Sequence, residues 1–98
     1  MKRTDLICSR ISEALDPLRI EVADESHLHE GHAGDRGGES HFRALVVSAR
    51  FEGRTRVERQ CLVYAALGDL FPAAIHALAM RTLTPEEWQR EARSPERK

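Results

Sequence analysis

The chain has 98 residues, of which 41% are hydrophobic, so it can form one domain (1–98) around one modest core. Lys and Arg number 15 against 16 Asp and Glu, and the net charge of −1 disfavours nucleic-acid binding through a strongly basic surface. No apolar run is long enough to cross a membrane, and no secretory signal follows the basic N-terminus. We therefore expect a cytoplasmic protein without membrane contact. The two cysteines, Cys8 and Cys61, read as buried small hydrophobic residues in a reducing compartment.

The N-terminal part predicts a helix, a strand and a long loop. Thr4 is expected to cap the helix and Pro17 to end it, and its apolar face contains Ile7, Ile11, Ala14, Leu15 and Leu18. Alternating apolar residues over 18–23 predict a short strand. Residues 24–40 are polar and rich in glycine, and they include three of the five histidines. We interpret them as a long polar loop, a type of segment that commonly carries function.

The C-terminal part predicts two strands and two helices. Phe42 to Phe51 reads as a strand, and Thr55 with Glu58 forms a capping-box signature that opens a helix. Phe71-Pro72 is expected to end that helix, whose predicted apolar stripe is Val57, Cys61, Tyr64, Ala65 and Gly68, widened by Leu62 and Leu67. Ile75 to Met80 reads as a third strand, with a helix as the alternative because the run is rich in alanine. Thr84-Pro85 starts a last short helix that carries Trp88.

The predicted order of elements is α-β-β-α-β-α. This order indicates an α+β fold, a two-layer sandwich in which a three-stranded mixed sheet carries the helices on one face. Residues 1–3 and 94–98 are expected to be frayed tails.

Several short strings occur in this order at consistent spacing, and together they resemble the BolA family. The resemblance runs from the first helix to the last and implies a fold similar to the class II KH domain. Arg59 is followed by Gln60-Cys61, where the family has His and Arg, which weakens any transfer of nucleic-acid contacts to this helix. The matching strings are Asp24-Glu25-Ser26-His27, Gly31-His32-Ala33-Gly34, Glu39-Ser40-His41-Phe42, Val47-Ser48, Phe51-Glu52-Gly53, Arg59, Val63-Tyr64, Ile75-His76-Ala77-Leu78 and Thr84-Pro85 with Trp88.

The resemblance implies an adaptor that binds a monothiol glutaredoxin and shares a [2Fe–2S] cluster with it and with glutathione, in iron–sulfur handling and iron homeostasis. The implied metal ligands are His32 and His76, with His27 and His29 as runners-up. Neutral imidazole can replace cysteine on one iron of such a cluster. The isolated chain is expected to hold no cofactor and to be a monomer or a weak homodimer. His41 is expected only to begin the second strand.

A DNA-binding transcriptional regulator is the alternative function, because some bacterial members of the family are implied to act in that way. Its candidate contacts are Arg54, Arg56 and Arg59, although neighbouring carboxylates and few aromatic residues favour an ordinary solvated face. Two GxxG strings, at 31–34 and 34–37, lie between strands, whereas the nucleic-acid clamp of a KH domain uses such a loop in another position. No P-loop, nucleophile elbow or other catalytic set is present, so we do not expect an enzyme.

Overall fold

The computed structural model describes residues 2–25, 41–73 and 77–92. The elements are α1 (Arg3–Leu15), β1 (Arg19–Asp24), β2 (His41–Val47), a 3₁₀ turn (Ala49–Phe51), α2 (Arg56–Leu67), α3 (Leu70–Ala73), β3 (Ala77–Leu83) and α4 (Pro85–Ala92). The short α3 is interrupted by extended backbone at Phe71. Apart from this short segment, the order is the predicted α-β-β-α-β-α. In the described part of the chain, no helix is both long and apolar enough to span a membrane.

The sheet is mixed, as predicted, with strand order β1-β2-β3. β1 pairs with β2 in antiparallel register, with Arg19 opposite Val47 and Asp24 opposite Phe42. β2 pairs with β3 in parallel register, with His41 opposite Ala77. Since β2 and β3 are parallel, both strands begin at the same end of the sheet.

The core lies between one face of the sheet and the two long helices, which confirms the predicted α+β architecture. Alternate β2 residues point into this core, as the two-residue period of a strand requires. The buried core residues are Ile7, Ile11 and Leu15 from α1, Phe42, Ala44 and Val46 from β2, Phe51, and Val63 and Leu67 from α2. The short α4 crosses the end of the sheet, where Trp88 lies 5.2 Å from the Arg19 guanidinium and Glu91 pairs with Arg81.

Two predicted boundaries before α2 are wrong. Thr4 is not the cap of α1, because the helix begins at Arg3, and the Lys2 carbonyl accepts the Leu6 N–H at 3.0 Å. β2 ends at Val47 rather than Phe51, because Ser48 is used in a turn. Its hydroxyl donates to the Leu15 carbonyl at 2.6 Å and accepts the Arg50 N–H at 3.1 Å, which starts the 3₁₀ turn.

Both predicted caps of the C-terminal part are confirmed as capping boxes. The Thr55 hydroxyl accepts the Glu58 N–H at 3.1 Å, and the Glu58 carboxylate accepts the Thr55 N–H at 3.0 Å. Thr84 and Glu87 make the same two hydrogen bonds at the start of α4, at 3.1 and 2.9 Å. These bonds satisfy amide groups that have no partner within the first turn of a helix.

The predicted end and apolar face of α2 are wrong. The helix ends at Gly68, whose φ of 57° suits glycine, rather than at Phe71-Pro72. The side chains that enter the core are Val63 and Leu67, whereas Val57, Cys61 and Tyr64 of the predicted stripe are exposed. The helix is apolar on two faces, so hydrophobic spacing alone could not identify the buried one.

The third strand was predicted correctly in type but not in extent. β3 runs to Leu83, three residues beyond the predicted end at Met80. The first two predicted positions, 75 and 76, lie outside the described residues.

Candidate functional site

Three points of the chain meet at the end of the sheet where β2 and β3 begin. His41 is paired with Ala77 across the parallel ladder. The Glu25 N–H donates to the His41 carbonyl at 2.7 Å, so Glu25, which follows β1, lies at the same end of the sheet. The Glu25 carboxylate also accepts a hydrogen bond from Arg43 Nε at 3.0 Å. We call this region, defined by Glu25, His41 and Ala77, the histidine end of the sheet.

All four predicted metal ligands lie outside the described residues, but the chain connects each of them to the histidine end. His76 directly precedes Ala77 in the chain. His27, His29 and His32 belong to the segment that leaves Glu25 and returns at His41. His41 itself begins β2, as predicted, and is half-buried.

The described residues do not form a metal site by themselves. Among residues 2–25, 41–73 and 77–92, no group of three or more His, Cys, Asp or Glu side chains could hold a metal ion. A [2Fe–2S] cluster shared with a partner needs fewer ligands from this chain, and imidazole suits one of its irons. The donor chemistry of His76 and the histidines of segment 26–40 therefore fits the group that the resemblance implies.

The two cysteines have different environments. Cys8 is half-buried on α1, and burial, followed by the nearby Asp5 carboxylate, raises the pKa of its thiol. Cys61 is exposed on α2, so its predicted burial is wrong. Both thiols are free.

Arg59, one of the predicted nucleic-acid contacts, is used inside the protein. Its side chain is 13% exposed, and its guanidinium lies 5.9 Å from the Phe51 ring. Nη1 and Nη2 donate to the two carboxylate oxygens of Glu87 at 2.8 and 3.3 Å. Nη1 also donates to the Thr82 carbonyl, and Nε donates to the Arg54 carbonyl, both at 3.0 Å. Arg59 thus joins α2, β3, α4 and the preceding turn.

The Glu87 carboxyl is the anionic partner in this arrangement. The hydrogen bond from Arg59, followed by that from the Thr84 N–H, holds the pKa of Glu87 below its ordinary value. Glu87 therefore stays ionised at neutral pH and neutralises Arg59. The Thr84-Pro85 signal could locate the start of α4, but not the contact of Glu87 with a residue 28 positions earlier.

The other two predicted arginines are exposed beside this network. Arg54 and Arg56 make no ion pair with any residue that the structure describes. Arg56 lines an open groove of about 560 Å³ together with Arg59, Arg90, Glu87 and Glu91. Because carboxylates alternate with the arginines, this groove is only weakly basic. The role of Arg54, Arg56 and Arg59 in nucleic-acid binding stays a prediction.

The exposed apolar face of α2 is the feature that sequence reasoning missed. Val57 is 66% exposed and Tyr64 is 37% exposed, and Cys61 lies between them on the same face. Its helical spacing is visible in the sequence, but it was interpreted as the core face.

The fold and the histidine end define a class of protein: a small α+β domain with a β1-β2-β3 mixed sheet and a histidine-bearing segment at one end of it. Residues 11–87 match the family model described as BolA-like protein. The chain belongs to the BolA-like family.

Relatives and solved structures agree with this membership. The chain is 43% identical to BolA-like protein 1 of Homo sapiens over 83 residues, which are 85% of this chain and 58% of the human protein. It is 37% identical to the DNA-binding transcriptional regulator BolA of Haemophilus influenzae over 91% of this chain and 84% of that protein. A crystal structure of a Bol-like protein from Babesia bovis superimposes with a TM-score of 0.77 at 32% identity, covering 95% of this chain and 96% of that one.

Proposed function

We propose that this BolA-like chain is an adaptor that binds a monothiol glutaredoxin and shares a [2Fe–2S] cluster with it and with glutathione. It acts by binding and does not turn over a substrate. The observation that carries the proposal is the pairing of His41 with Ala77. Ala77 follows His76 in the chain, and His41 follows segment 26–40. Their pairing therefore brings both of these points of the chain to one end of the sheet.

His76 is the first proposed ligand and His32 is the second. His76 directly precedes Ala77, the first residue of a hydrogen-bonded strand. His32 is seven residues from Glu25 and nine from His41. With about 3.3 Å per extended residue, a span of this length can reach position 76. When bound, the cluster supplies iron sites, and this chain contributes imidazole nitrogens to one of them.

The test is anaerobic reconstitution of the cluster with a monothiol glutaredoxin, with and without this chain, followed by visible absorption and circular dichroism. His76→Ala should change the spectrum of the mixed complex more than His32→Ala does, because His27 and His29 can partly replace His32. Far-ultraviolet circular dichroism shows whether each variant is folded. An unaltered cluster spectrum with folded His76→Ala would refute the ligand assignment.

The proposal also predicts a dependence on pH. Imidazole must be neutral to bind iron, and an unperturbed histidine titrates near pH 6.5. Protons therefore compete with iron as the pH falls, and the mixed complex should lose its cluster signal on titration from pH 8 to pH 6. A signal that is constant over this range, while the glutaredoxin remains folded, would contradict coordination by histidine.

DNA binding is the second candidate, because the Haemophilus influenzae relative is named a DNA-binding transcriptional regulator. The exposed Arg54 and Arg56 side chains could contact phosphates. We expect weak binding to duplex DNA that falls steeply with rising salt, since few arginines are available and the net charge is −1. Tight, sequence-selective binding at physiological salt that is lost in Arg56→Ala would rank this function first.

A further inference from the structure

β1 is an edge strand whose outer side has no strand partner in the described part of the chain. The strand order is β1-β2-β3, so β1 pairs only with β2. The bond from the Glu25 N–H to the His41 carbonyl shows which backbone groups face β2, because these groups alternate along an antiparallel strand. Odd-numbered residues of β1 therefore bond to β2, whereas the N–H and C=O groups of Ile20 and Val22 point to the outer side.

The other edge of the sheet, β3, is covered where it lies beside α2. Arg59 Nη1 donates to the Thr82 carbonyl at 3.0 Å, so a side chain of α2 already bonds to an outward backbone group. Gln60 and Met80 line a groove of about 320 Å³ between the same helix and this strand. A further strand could not lie along this part of β3 without displacing Arg59. Of the two edges of the described sheet, β1 is therefore the one that can pair.

The charges of β1 favour pairing with a second copy of the same strand. Edge strands are commonly protected by charges that repel another strand. Arg19 and Glu21 instead carry opposite charges two residues apart, form an ion pair with each other, and are 48% and 53% exposed. In an antiparallel pair centred on Ile20, Arg19 of each copy lies opposite Glu21 of the other. The Cα atoms of two such residues are about 4.5 Å apart, so each arginine lies between two carboxylates.

Only the register centred on Ile20 places both charges opposite their complements. Centring the pair on Glu21 would bring two carboxylates directly opposite each other, and centring it on Val22 would place Glu21 opposite Ala23. The register centred on Ile20 also brings Val22 of the second copy beside Leu18, which is 64% exposed and directly precedes β1. An exposed apolar side chain next to the open edge thus gains an apolar neighbour.

We propose that β1 is a self-association surface through which two copies of this chain form one six-stranded sheet, with a two-fold axis at Ile20. The same strand serves both copies, so every contact occurs twice. β1 has six residues and is about 20 Å long. The interface is thus much smaller than the roughly 800 Å² per partner of a stable dimer. The dimer is therefore weak, with a dissociation constant on the order of 100 µM.

Self-association through β1 is independent of the proposed cluster binding. Glu25, at the histidine end, is five residues from Ile20, which is about 17 Å along an extended strand. Because the paired strands are antiparallel, the two histidine ends lie at opposite ends of the joined sheet. Each property can therefore be tested without the other.

The test is sedimentation equilibrium of the parent chain from about tenfold below to about tenfold above this dissociation constant. Arg19→Glu and Glu21→Arg are the main variants, because each places charges of the same sign opposite each other. An equimolar mixture of these two variants restores opposite charges across the pair. Arg81→Glu is the matched control, since Arg81 is a 55% exposed, ion-paired arginine on the other edge strand.

We expect each main variant to weaken dimerisation by about tenfold, the mixture to dimerise like the parent chain, and Arg81→Glu to have no effect. Glu21→Arg keeps the contact of Arg19 with Trp88, so a loss in both main variants cannot come from displacement of α4. In the parent chain, the Ile20 amide should exchange with solvent deuterium more slowly as the concentration rises. Exchange of the Glu21 amide, which is bonded to β2, should not depend on concentration.

Four results would overturn the inference. The first is a parent chain that remains monomeric at about 1 mM, and the second is exchange of the Ile20 amide that does not change on dimerisation. The third is a dimer that persists in both main variants or is lost in Arg81→Glu, which would assign self-association to another surface. The fourth is loss in both main variants without recovery in their mixture. Far-ultraviolet circular dichroism shows whether each variant is folded, and the exchange measurement needs no variant.

Discussion

Replacement of Arg59 by alanine should destabilise the protein by about 2 kcal/mol, because it breaks a partly buried ion pair. The substitution removes four hydrogen bonds that join α2 to Glu87, Thr82 and Arg54. A fully buried pair that loses one partner costs about 3–5 kcal/mol, whereas an exposed pair contributes about 0–1 kcal/mol. The Glu87 side chain is 34% exposed and retains its bond to the Thr84 N–H, so water offsets part of the loss and an intermediate value follows.

Urea denaturation followed by two probes measures this effect. With a slope of roughly 1 to 1.5 kcal/mol per molar urea for a small protein, the midpoint should fall by about 1.5 M. Far-ultraviolet circular dichroism follows the whole fold, and the fluorescence of Trp88, the single tryptophan, follows the docking of α4. If Arg59 fastens α4 to α2, the two probes should separate in Arg59→Ala and coincide in the parent protein.

Arg56→Ala is the matched control, because Arg56 is exposed on the same helix and has no ion pair with a described residue. Its free energy of unfolding should stay within about 0.5 kcal/mol of the parent value. Arg59→Lys keeps the charge but loses the bidentate contact with Glu87. Its stability should therefore lie between those of Arg59→Ala and Arg56→Ala. The reasoning is refuted if Arg59→Ala shifts the midpoint no more than Arg56→Ala does.

Three further expectations concern the caps and charges of the described fold. Thr55→Ala and Thr84→Ala should each lower the free energy of unfolding by about 1 kcal/mol, because a helix amide loses its side-chain acceptor. The urea midpoint should fall and the slope should not change. An unchanged midpoint in both variants would contradict the cap assignments. The stabilising contribution of ionised Glu87 should be complete above the pKa of an ordinary Glu carboxyl, about 4.3. This contribution should disappear as the pH falls through the lower pKa that Glu87 has in the folded protein. The stability difference between the parent and Arg59→Ala should therefore narrow on going from pH 6 to pH 3, and a constant difference would contradict this.

Local signals in the sequence predicted much of the fold correctly. Thr55 with Glu58, and Thr84 before Pro85, placed two helix starts because a capping box involves residues only three positions apart. Segment boundaries that depend on distant contacts were wrong. Ser48 ends β2 partly because its hydroxyl reaches the carbonyl of Leu15, 33 residues earlier, and no local pattern encodes that bond.

The residues of the candidate site could be named from the sequence, but their arrangement in space could not be predicted from it. The histidines were identified through the family resemblance, and the structure adds that positions 41 and 77 are neighbours in a parallel ladder. Parallel pairing joins strands that are distant in sequence, so the spacing of His41 and His76 could not reveal it. Arg59 was named as a candidate nucleic-acid contact on a face expected to be solvated, and its contact with Glu87 could not be predicted because it depends on where α4 packs.

The two apolar faces of α2 show why a hydrophobic pattern can locate a helix and still misplace its core. A helix with one apolar stripe has only one way to face the sheet, whereas α2 has two, and Arg59 helps to select between them. Its guanidinium lies at the Val63 side of the helix, where it reaches Thr82 and Glu87. Turning Val57 and Cys61 inward would carry Arg59 away from these partners and leave the Glu87 carboxylate without its main counterion. The selected orientation keeps Val63 and Leu67 in the core and leaves Val57 and Cys61 exposed.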